Sequence, residues 1–574
     1  MPGHPLPDSP AGFADATWAD IAPFYDALAE EPLTRENVEA WLAAWSRLDE
    51  LVGDAATLAT IAYTADTANP EKEAAHLRFS MEIVPRMEEQ EVRLSRRLLE
   101  LGYSRAGLET IVAQFRTDAE IFREENVARF AELEELGAAY QKITGSMTVE
   151  FDGQQRTVPQ LQPFLLSRDR DVRERAFRAQ ASQYIARRAE LADLFDRMFA
   201  LRQQVAQAAG LSDYQAFVFK AYHRFDYTPA DCERFHEAVE RAVVPAVSRM
   251  LERRRERLGV DVLRPWDLQV NPYRETPLAP FRDAAEFVSH ARRIFHGVDA
   301  RLGGEFDIMA DEGLLDLDNR EGKAPGGYCT TLHATGRPFI FMNAVGVPDD
   351  VNTLLHESGH CFHAFAAHRH PLLWQRRTGM EAAELASMSM ELLAAPRLVQ
   401  PEGYYSPSDV RHAELEHLED ILLALPHIAS VDAFQSWVYG SGKGGDRDAR
   451  DAAWLDIRSR FEPAVDWSGL APERVARWFR QLHIFLSPFY YIEYGIAQLG
   501  ALQVWRNSLR DRAKAVADYR HALSLGGTRP LPEIYAAAGA RLIFDAAGMA
   551  ELVALVEQRL EELHASIEKA SRAA

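Results

Sequence analysis

The sequence contains little cysteine. Its 574 residues include three cysteines, Cys232, Cys329 and Cys361. A sparse and odd count does not build a disulfide framework, so the fold must be held together by a core of packed side chains. We interpret all three cysteines as small core residues.

Basic residues are scarce relative to acidic ones. The chain has 64 Lys and Arg against 86 Asp and Glu, a net charge of −22. Because phosphate binding needs a basic surface, we do not expect nucleic acid as a partner. Hydrophobic residues make up 47% of the chain and charged residues 26%, as in an ordinary globular protein, and 574 residues leave room for more than one domain.

Long apolar runs are missing as well. No stretch of about 18 apolar residues suggests a transmembrane helix. The first residues lack the basic region and apolar run of a signal peptide, and residues 1–15 are rich in Pro and Gly. We therefore expect a cytoplasmic protein without a membrane partner, with residues 1–15 disordered or loosely attached.

Most of the chain has the pattern of amphipathic helices. Segments such as 35–51 and 72–101 alternate Glu and Arg with Leu, Ile and Met. Residues 147–158 break this pattern, because alternation around an Asp-Gly pair predicts a short β-hairpin. The sequence thus predicts a mainly α fold that one short β-hairpin interrupts.

One motif carries the chemistry of a metal site. Residues 356–360 read His-Glu-Ser-Gly-His, within a segment that Pro348 and two acidic residues mark as the start of a helix. On a helix, His356 and His360 lie on one face and can bind one ion. This spacing suits Zn²⁺, which needs a third protein ligand and an open position for water. Glu357 can then act on that water as a general base.

The third ligand is expected from the next predicted helix, residues 380–391. Its Glu residues lie beside Met and Ala, where a buried carboxylate would be costly without a partner. We predict Glu384 as the ligand and Glu391 as the residue that orients a ligating His ring. Glu381 is the alternative for either role.

Two further segments suggest how a peptide could be bound. Residues 316–329 predict a strand followed by a glycine-rich loop, which we interpret as a mobile flap. Residues 338–344 predict a strand that leads into the motif helix. As an edge strand it could pair with the main chain of an extended peptide; alternatively, it is wholly buried.

The segment from His483 to Gly495 is rich in aromatic residues. Tyr491 and Tyr494 are three apart and share a helix face. A phenol or imidazole can stabilise the oxyanion that forms during amide hydrolysis. The alternative is an aromatic core cluster that includes Tyr490.

The segments HESGHCFHAF and ELASMSME together resemble the zinc site of the thimet oligopeptidase and oligoendopeptidase F family, most closely its bacterial oligoendopeptidase F branch. The resemblance covers roughly residues 100 to 560. It implies an N-terminal helical domain at 1–190 that contains the hairpin and a zinc metallopeptidase catalytic domain at 191–574. It implies that His356, His360 and Glu384 bind zinc and that Glu357 is the general base. The fold that it implies has two helical halves around a deep substrate channel, with a small β-sheet beside the zinc-binding helix.

The resemblance also implies roles in the aromatic segment. His483, Tyr491 and Tyr494 fall on the positions of a His and tyrosines that the family places at its active site. The role of Tyr490 stays open, because residues 487–489 replace the glycine-rich spacer of the thimet branch. The function implied is that of a zinc endopeptidase for short unfolded oligopeptides. The alternatives are a peptide-binding relative with little or no activity and a zinc exopeptidase.

Overall fold

The computed structural model describes residues 5–573 and is mainly helical, with two small β-sheets. This confirms the predicted fold class. The α-helices of the described residues are α1 (Trp18–Glu30), α2 (Val38–Ala65), α3 (Pro70–Leu77), α4 (Val84–Leu101), α5 (Glu109–Ile121), α6 (Glu124–Gly145), α7 (Gln162–Leu165), α8 (Arg170–Ala186), α9 (Arg188–Ala208), α10 (Tyr214–Ala221), α11 (Pro229–Ala238), α12 (Val244–Leu258), α13 (Ala284–Val298), α14 (Ala300–Asp311), α15 (Pro348–Ala367), α16 (Leu373–Arg376), α17 (Met380–Ala394), α18 (Asp409–Gly440), α19 (Arg447–Phe461), α20 (Ala471–Ala476), α21 (Leu482–Leu486), α22 (Tyr491–Arg510), α23 (Arg512–Leu523), α24 (Leu531–Ala537) and α25 (Ala546–Ala573). The strands are β1 (Thr148–Phe151), β2 (Gln154–Thr157), β3 (Leu315–Asp318), β4 (Tyr328–Leu332) and β5 (Arg337–Ala344).

The chain forms two compact units, and each is assembled from separate stretches of sequence. Unit 1 contains the described residues up to Glu120, with Leu278–Ala413 and Ala497–Leu542; unit 2 contains Ile121–Pro277, Glu414–Ile496 and the residues from Ile543 onward. Neither unit coincides with the predicted division into 1–190 and 191–574. Helical periodicity shows where helices form, but it does not show which of them pack together.

An aromatic cluster joins distant parts of the chain within unit 1. The ring centroids of Trp45 and Trp374 lie 4.3 Å apart, and Phe115 lies 5.4 Å from each of them. Trp45 belongs to α2 and Trp374 to α16, so α2 packs against the segment that follows the motif helix. Large buried aromatic rings of this kind dominate the energy of a core.

The N-terminal segment is attached more firmly than predicted. Residues 1–4 lie outside the described residues, but Pro10–Phe13 form a 3₁₀ helix. The Phe13 side chain is buried in the core of unit 1, with its ring centroid 5.7 Å from that of Phe24. One buried aromatic side chain thus anchors a segment whose Pro and Gly content suggested loose attachment.

The three-stranded sheet of unit 1 lies beside α15, as predicted. Its strand order is β3-β5-β4, with β5 parallel to β3 and antiparallel to β4. The strand predicted at 338–344 is therefore the central strand β5, and its proposed role as an edge strand is wrong. Its continuous run of apolar residues is typical of a strand buried by neighbours on both sides.

The glycine-rich loop between β3 and β4 is anchored to the end of α2. The Ala324 N–H donates to Thr64 O at 2.8 Å, and the Thr67 N–H donates to Gly322 O at 2.7 Å. The buried Lys323 ammonium donates to Asp316 Oδ1 at 2.9 Å. A loop held by these bonds is poorly suited to move as the predicted free flap.

Unit 2 contains the predicted hairpin. Strands β1 and β2 pair in the register Phe151↔Gln154, and both turn residues, Asp152 and Gly153, have positive φ. This backbone is that of a two-residue hairpin turn, for which Asp-Gly is a preferred sequence. The Asp-Gly signal therefore located the turn correctly.

One helix of the described residues, α18, has the length and apolar composition of a membrane span, with a mean hydropathy of 1.3 over an 18-residue window. The protein buries 67% of that window in its interior. A helix at the core of a globular unit meets the same test.

Candidate metal centre

The motif helix α15 has a well-defined start. Three successive backbone N–H groups, those of residues 345–347, donate to Asp350 Oδ2 at 2.8 to 2.9 Å. Pro348 occupies the first turn, where its missing N–H causes no loss. The acidic side chain also suits the positive end of the helix dipole. These contacts are those expected from the sequence signal, and they fix where the helix begins.

The structure brings the three predicted metal ligands together in unit 1. The ligand atoms of His356, His360 and Glu384 all lie within 4.8 Å of one another. Glu384 Oε2 is 3.3 Å from His356 Nε2 and 4.0 Å from His360 Nε2. Within residues 5–573, this is the one group of His, Cys, Asp and Glu side chains with the spacing of a metal site.

A glycine allows the two ligand-bearing helices to approach each other. A Cβ atom on Gly359 would lie 2.5 Å from Ser387 Cα and 2.7 Å from Ala386 O, both on α17. Because Gly359 has no side chain, α17 can bring Glu384 close to α15. Ser387 Oγ also donates to Glu384 Oε2 at 3.2 Å and helps to orient that carboxylate.

Glu391 orients the ring of His356. The Nδ1 atom of His356 lies 2.7 Å from Glu391 Oε1, so the imidazole donates a hydrogen bond there and turns Nε2 toward Glu384. This is the role predicted for Glu391. The alternative residue, Glu381, lies outside the cluster, and its backbone carbonyl accepts a hydrogen bond from the Tyr535 hydroxyl.

The electrostatics of the cluster favour a positive charge. Burial lowers the pKa of His360 to about 4, so that imidazole is neutral, as metal ligation requires. Burial alone would also lower the pKa of His356, but hydrogen bonds to Glu384 and Glu391 raise it well above its usual range. For Glu384, burial opposes ionisation, yet His356 and His360 hold its pKa below the usual range. Two imidazoles and a carboxylate are a donor set that Zn²⁺ takes, so the residues fit the metal.

Glu357 lies between the metal cluster and strand β4. Burial raises the pKa of its carboxyl, and a backbone hydrogen bond from Cys329 partly opposes this shift. A general base that must accept and return a proton works best when its pKa is raised toward neutrality. The position and the environment of Glu357 therefore suit the predicted role.

Strand β4 pairs with β5 on one side, and its other side, the outer edge, is not paired with a strand among the described residues. Ile340 on β5 donates its N–H to Leu314 O at 3.0 Å, in the direction of β3. Its antiparallel partner on β4 is Cys329, which must direct its own N–H and C=O away from β5, toward the outer edge. The edge suited to an extended peptide is thus β4, adjacent to Glu357.

Two cysteines also meet at this place. Cys329 Sγ on β4 lies 3.4 Å from Cys361 Sγ on α15, and both are free thiols. Cys361 is fully buried and Cys329 half-buried, whereas Cys232 is buried in unit 2. Cys232 and Cys361 are therefore core residues as predicted, whereas Cys329 is only half-buried. The contact between Cys329 and Cys361 could not be predicted from the sequence.

The predicted aromatic residues form a cluster in unit 2. The His483 ring lies 4.8 Å from that of Tyr491 and 6.0 Å from that of Tyr494. Tyr490 belongs to the same cluster, with its ring 5.1 Å from that of Tyr494. The Tyr491 hydroxyl donates to Gln481 Oε1 at 3.2 Å. All four rings are half-buried rather than part of a closed core, which leaves them accessible to a ligand.

Comparisons with known proteins identify the family of the chain. Residues 164–554 match the model of peptidase family M3, and residues 13–124 match that of the peptidase M3 N-terminal domain. A solved structure of PZ peptidase A with an inhibitor shares 26% identity, with a TM-score of 0.86 over 95% of this chain and 98% of that chain. An oligoendopeptidase-F from Enterococcus faecium, 16% identical, shares the fold with a TM-score of 0.65 over 96% and 98% of the two chains.

Curated relatives match over part of their length. The oligoendopeptidase F homolog of Lactococcus lactis is 24% identical over 356 residues, which are 59% of this chain and 55% of that protein. The homolog of Borreliella burgdorferi is 22% identical over 259 residues, 43% and 42% of the two chains. The chain thus aligns with about half the length of these relatives.

Proposed function

The chain belongs to peptidase family M3, and we propose that it is a zinc-dependent endopeptidase that hydrolyses internal peptide bonds of short, unfolded oligopeptides. The convergence of His356, His360 and Glu384 next to Glu357 carries this proposal. A structural zinc site normally has four protein ligands, whereas a catalytic site keeps one position open. Three protein ligands beside a candidate base favour catalysis over a purely structural metal.

In the proposed reaction, a water oxygen attacks the scissile carbonyl carbon, and the C–N bond then breaks. A zinc ion held by His356, His360 and Glu384 would supply the Lewis acid that polarises the carbonyl and lowers the pKa of water. Glu357 accepts a proton from the attacking water and returns it to the leaving amine. Glu391 keeps the His356 ring oriented throughout.

The outer edge of β4 holds the substrate main chain in this proposal. An extended peptide that pairs with the outer edge of β4, where the Cys329 carbonyl can accept a hydrogen bond, is held by its main chain and needs little from its side chains. This form of recognition requires an extended segment, which supports unfolded peptides as the substrate class. Tyr494, Tyr491 and His483 are proposed, from the family resemblance, to bind the oxyanion or the substrate. A cytoplasmic location stays a prediction.

The first experiment follows cleavage of an end-blocked, internally quenched peptide by the purified protein, before and after chelation and after zinc is restored. We expect chelation to abolish cleavage and zinc to restore it. No cleavage by zinc-loaded protein across a mixed peptide pool would favour the peptide-binding alternative. Cleavage of free-ended but not of end-blocked peptides would identify an exopeptidase.

A further inference from the structure

A cavity in unit 1 lies along strand β4, on the side of the sheet edge that faces α2 and α4. Its volume is about 540 Å³. Tyr328, Cys329 and Thr330 of β4 form one wall, and residues of α2 and α4 form the others. Because Cys329 also adjoins Glu357, the cavity begins where the proposed substrate main chain would bind.

The position of the cavity predicts its occupant. In an extended peptide, successive side chains point to opposite sides. When such a peptide pairs with the outer edge of β4, alternate side chains are directed toward the space between β4, α2 and α4. A single substrate side chain therefore fits the cavity while the main chain stays at the sheet edge.

The lining of the cavity combines apolar walls with carboxylates. Ala56, Val84 and Met87 provide apolar surface, whereas Asp49, Glu88 and Glu91 provide carboxyl groups. Arg377 is the one basic residue among those that line the cavity. Lys and Arg side chains have a matching form, an apolar stem that ends in a cation.

Two of the carboxylates are held in place by donors from the core. The Tyr25 hydroxyl donates to Asp49 Oδ1 at 2.6 Å, and the Trp374 indole N–H donates to Glu91 Oε1 at 3.1 Å. Burial, together with the nearby charge of Glu91, raises the pKa of Asp49 to about 8. A cation placed near both carboxyl groups would favour their ionised forms and bind them by charge attraction.

We propose that this cavity is a substrate subsite that selects a basic side chain, Lys or Arg, at one fixed position relative to the scissile bond. The proposal rests on the proposed peptidase function and adds a substrate class to it. The carboxylates of Glu91 and Glu88 attract the cation, the Asp49 carboxyl accepts a hydrogen bond from it, and the walls formed by α2 and α4 contact its aliphatic stem.

The test uses a set of end-blocked quenched peptides that differ at one position at a time. Each position carries in turn Lys, norleucine or Glu, so that charge is varied on side chains of similar length. For the zinc-loaded wild type, we expect kcat/KM for Lys to exceed that for norleucine by about tenfold or more at one position, since hydrogen bonds to charged groups are strong. Glu should be the poorest residue there.

A charge reversal on α4 identifies the cavity as the origin of this preference. Glu88 is exposed and lines the cavity, whereas the adjacent Glu89 is exposed and does not. We expect Glu88→Lys to remove most of the preference for Lys, while Glu89→Lys keeps it within about twofold, because exposed charges outside the cavity are screened. Equal loss in both variants would overturn the assignment.

A steric variant tests the same cavity without a change of charge. A Cβ on Gly53 meets no atom within 4 Å, and Gly53 lines the cavity. Gly53→Leu should therefore reduce cleavage of the Lys peptide more than that of a peptide with Gly at the same position. Gly304→Leu is the matched control, since Gly304 lies in helix α14 with equal free space but outside the cavity.

Binding separates this inference from the proposed activity. Fluorescence anisotropy measures the affinity of zinc-loaded Glu357→Gln protein for labelled Lys and norleucine peptides, whether or not the wild type hydrolyses them. Tighter binding of the Lys peptide supports the subsite even if no cleavage occurs. Equal affinity, or tighter binding of the norleucine peptide, overturns it, while normal cleavage of neutral peptides would leave the peptidase proposal standing.

Discussion

Substitution of Gly359 by Ala tests whether close packing of two helices builds the metal site. The new methyl carbon would lie 2.5 Å from Ser387 Cα and 2.7 Å from Ala386 O. Non-bonded carbon atoms are at their optimum near 3.5 to 4.0 Å, so α15 and α17 must separate by about 1 Å. The obstacle is backbone, which cannot rotate away as a flexible side chain would.

This separation acts directly on the ligand geometry. His356 and His360 move with α15, whereas Glu384 moves with α17. Metal sites tolerate changes of only about 0.2 Å in their ligand distances, so a shift of about 1 Å is several times too large. We expect the affinity for zinc to fall by about 100-fold or more, comparable with the larger effects of disturbed ligand support.

The same substitution should change stability much less. Overpacking costs about 1 to 3 kcal/mol, while replacing Gly by Ala within a helix returns up to about 1 kcal/mol. The net loss in the free energy of unfolding should therefore be about 0 to 3 kcal/mol. A large loss of zinc affinity with a small loss of stability is the expected signature.

Two measurements on each variant decide the matter. A competition titration with a zinc-binding dye gives the metal affinity, and urea denaturation of the metal-free protein gives the free energy of unfolding. Gly304→Ala is the control, because a Cβ there meets no atom within 4 Å; it should gain up to about 1 kcal/mol and keep its zinc. Wild-type zinc affinity in Gly359→Ala would refute the argument.

Four further predictions concern the proposed base, the metal ligands, Tyr494 and Asp49. Glu357→Gln should retain zinc by metal analysis but lose about 10²-fold to 10⁴-fold in kcat/KM, and a fully active variant would remove Glu357 from the role of base. Glu384→Ala should lose metal during dialysis whereas Glu381→Ala keeps it; the opposite result would reverse the choice of ligand. Tyr494→Phe should lower kcat by about 10²-fold to 10³-fold with unchanged thermal stability if its hydroxyl binds the oxyanion, whereas a loss of stability alone would indicate a core residue. The raised pKa of Asp49 means that the folded protein holds a proton that the unfolded chain releases between pH 4 and 8, so the free energy of unfolding should fall as pH rises through this window. Asp49→Asn should flatten that dependence in denaturation curves measured from pH 4 to 9, and an unchanged slope would contradict the assigned environment.

The metal cluster could be predicted because its information is local. His356 and His360 are one helical turn apart, so periodicity places them on one face of α15, and the carboxylates Glu384 and Glu391 follow on the next helix. The contribution of Gly359 could not be predicted in the same way. A glycine inside a helix usually lowers the stability of that helix. Only the structure, in which a Cβ on Gly359 would lie 2.5 Å from Ser387 Cα, shows why a residue without a side chain is needed here.

The sheet shows where a local pattern is insufficient. The apolar run 338–344 predicts a strand, but a run of that kind does not show whether the strand is central or at an edge. That choice depends on β3 and β4, which pair with it on opposite sides. The edge strands are β3 and β4, and the Tyr, Cys and Thr residues of β4 fit a strand without showing that it lies at an edge.

The acidic cavity extends this reasoning to substrate choice. Its walls join Asp49 on α2, Glu91 on α4 and Cys329 on β4, which are far apart in the sequence. No periodic pattern relates them, because they meet only after α2 packs against β4 and Trp374 docks on Trp45. The catalytic motif and the proposed specificity site thus depend on different levels of structure. Changes in α2 or α4 can alter which peptides are preferred while the spacing of His356, His360 and Glu384 stays intact, and the Glu88→Lys and Glu89→Lys pair tests that separation.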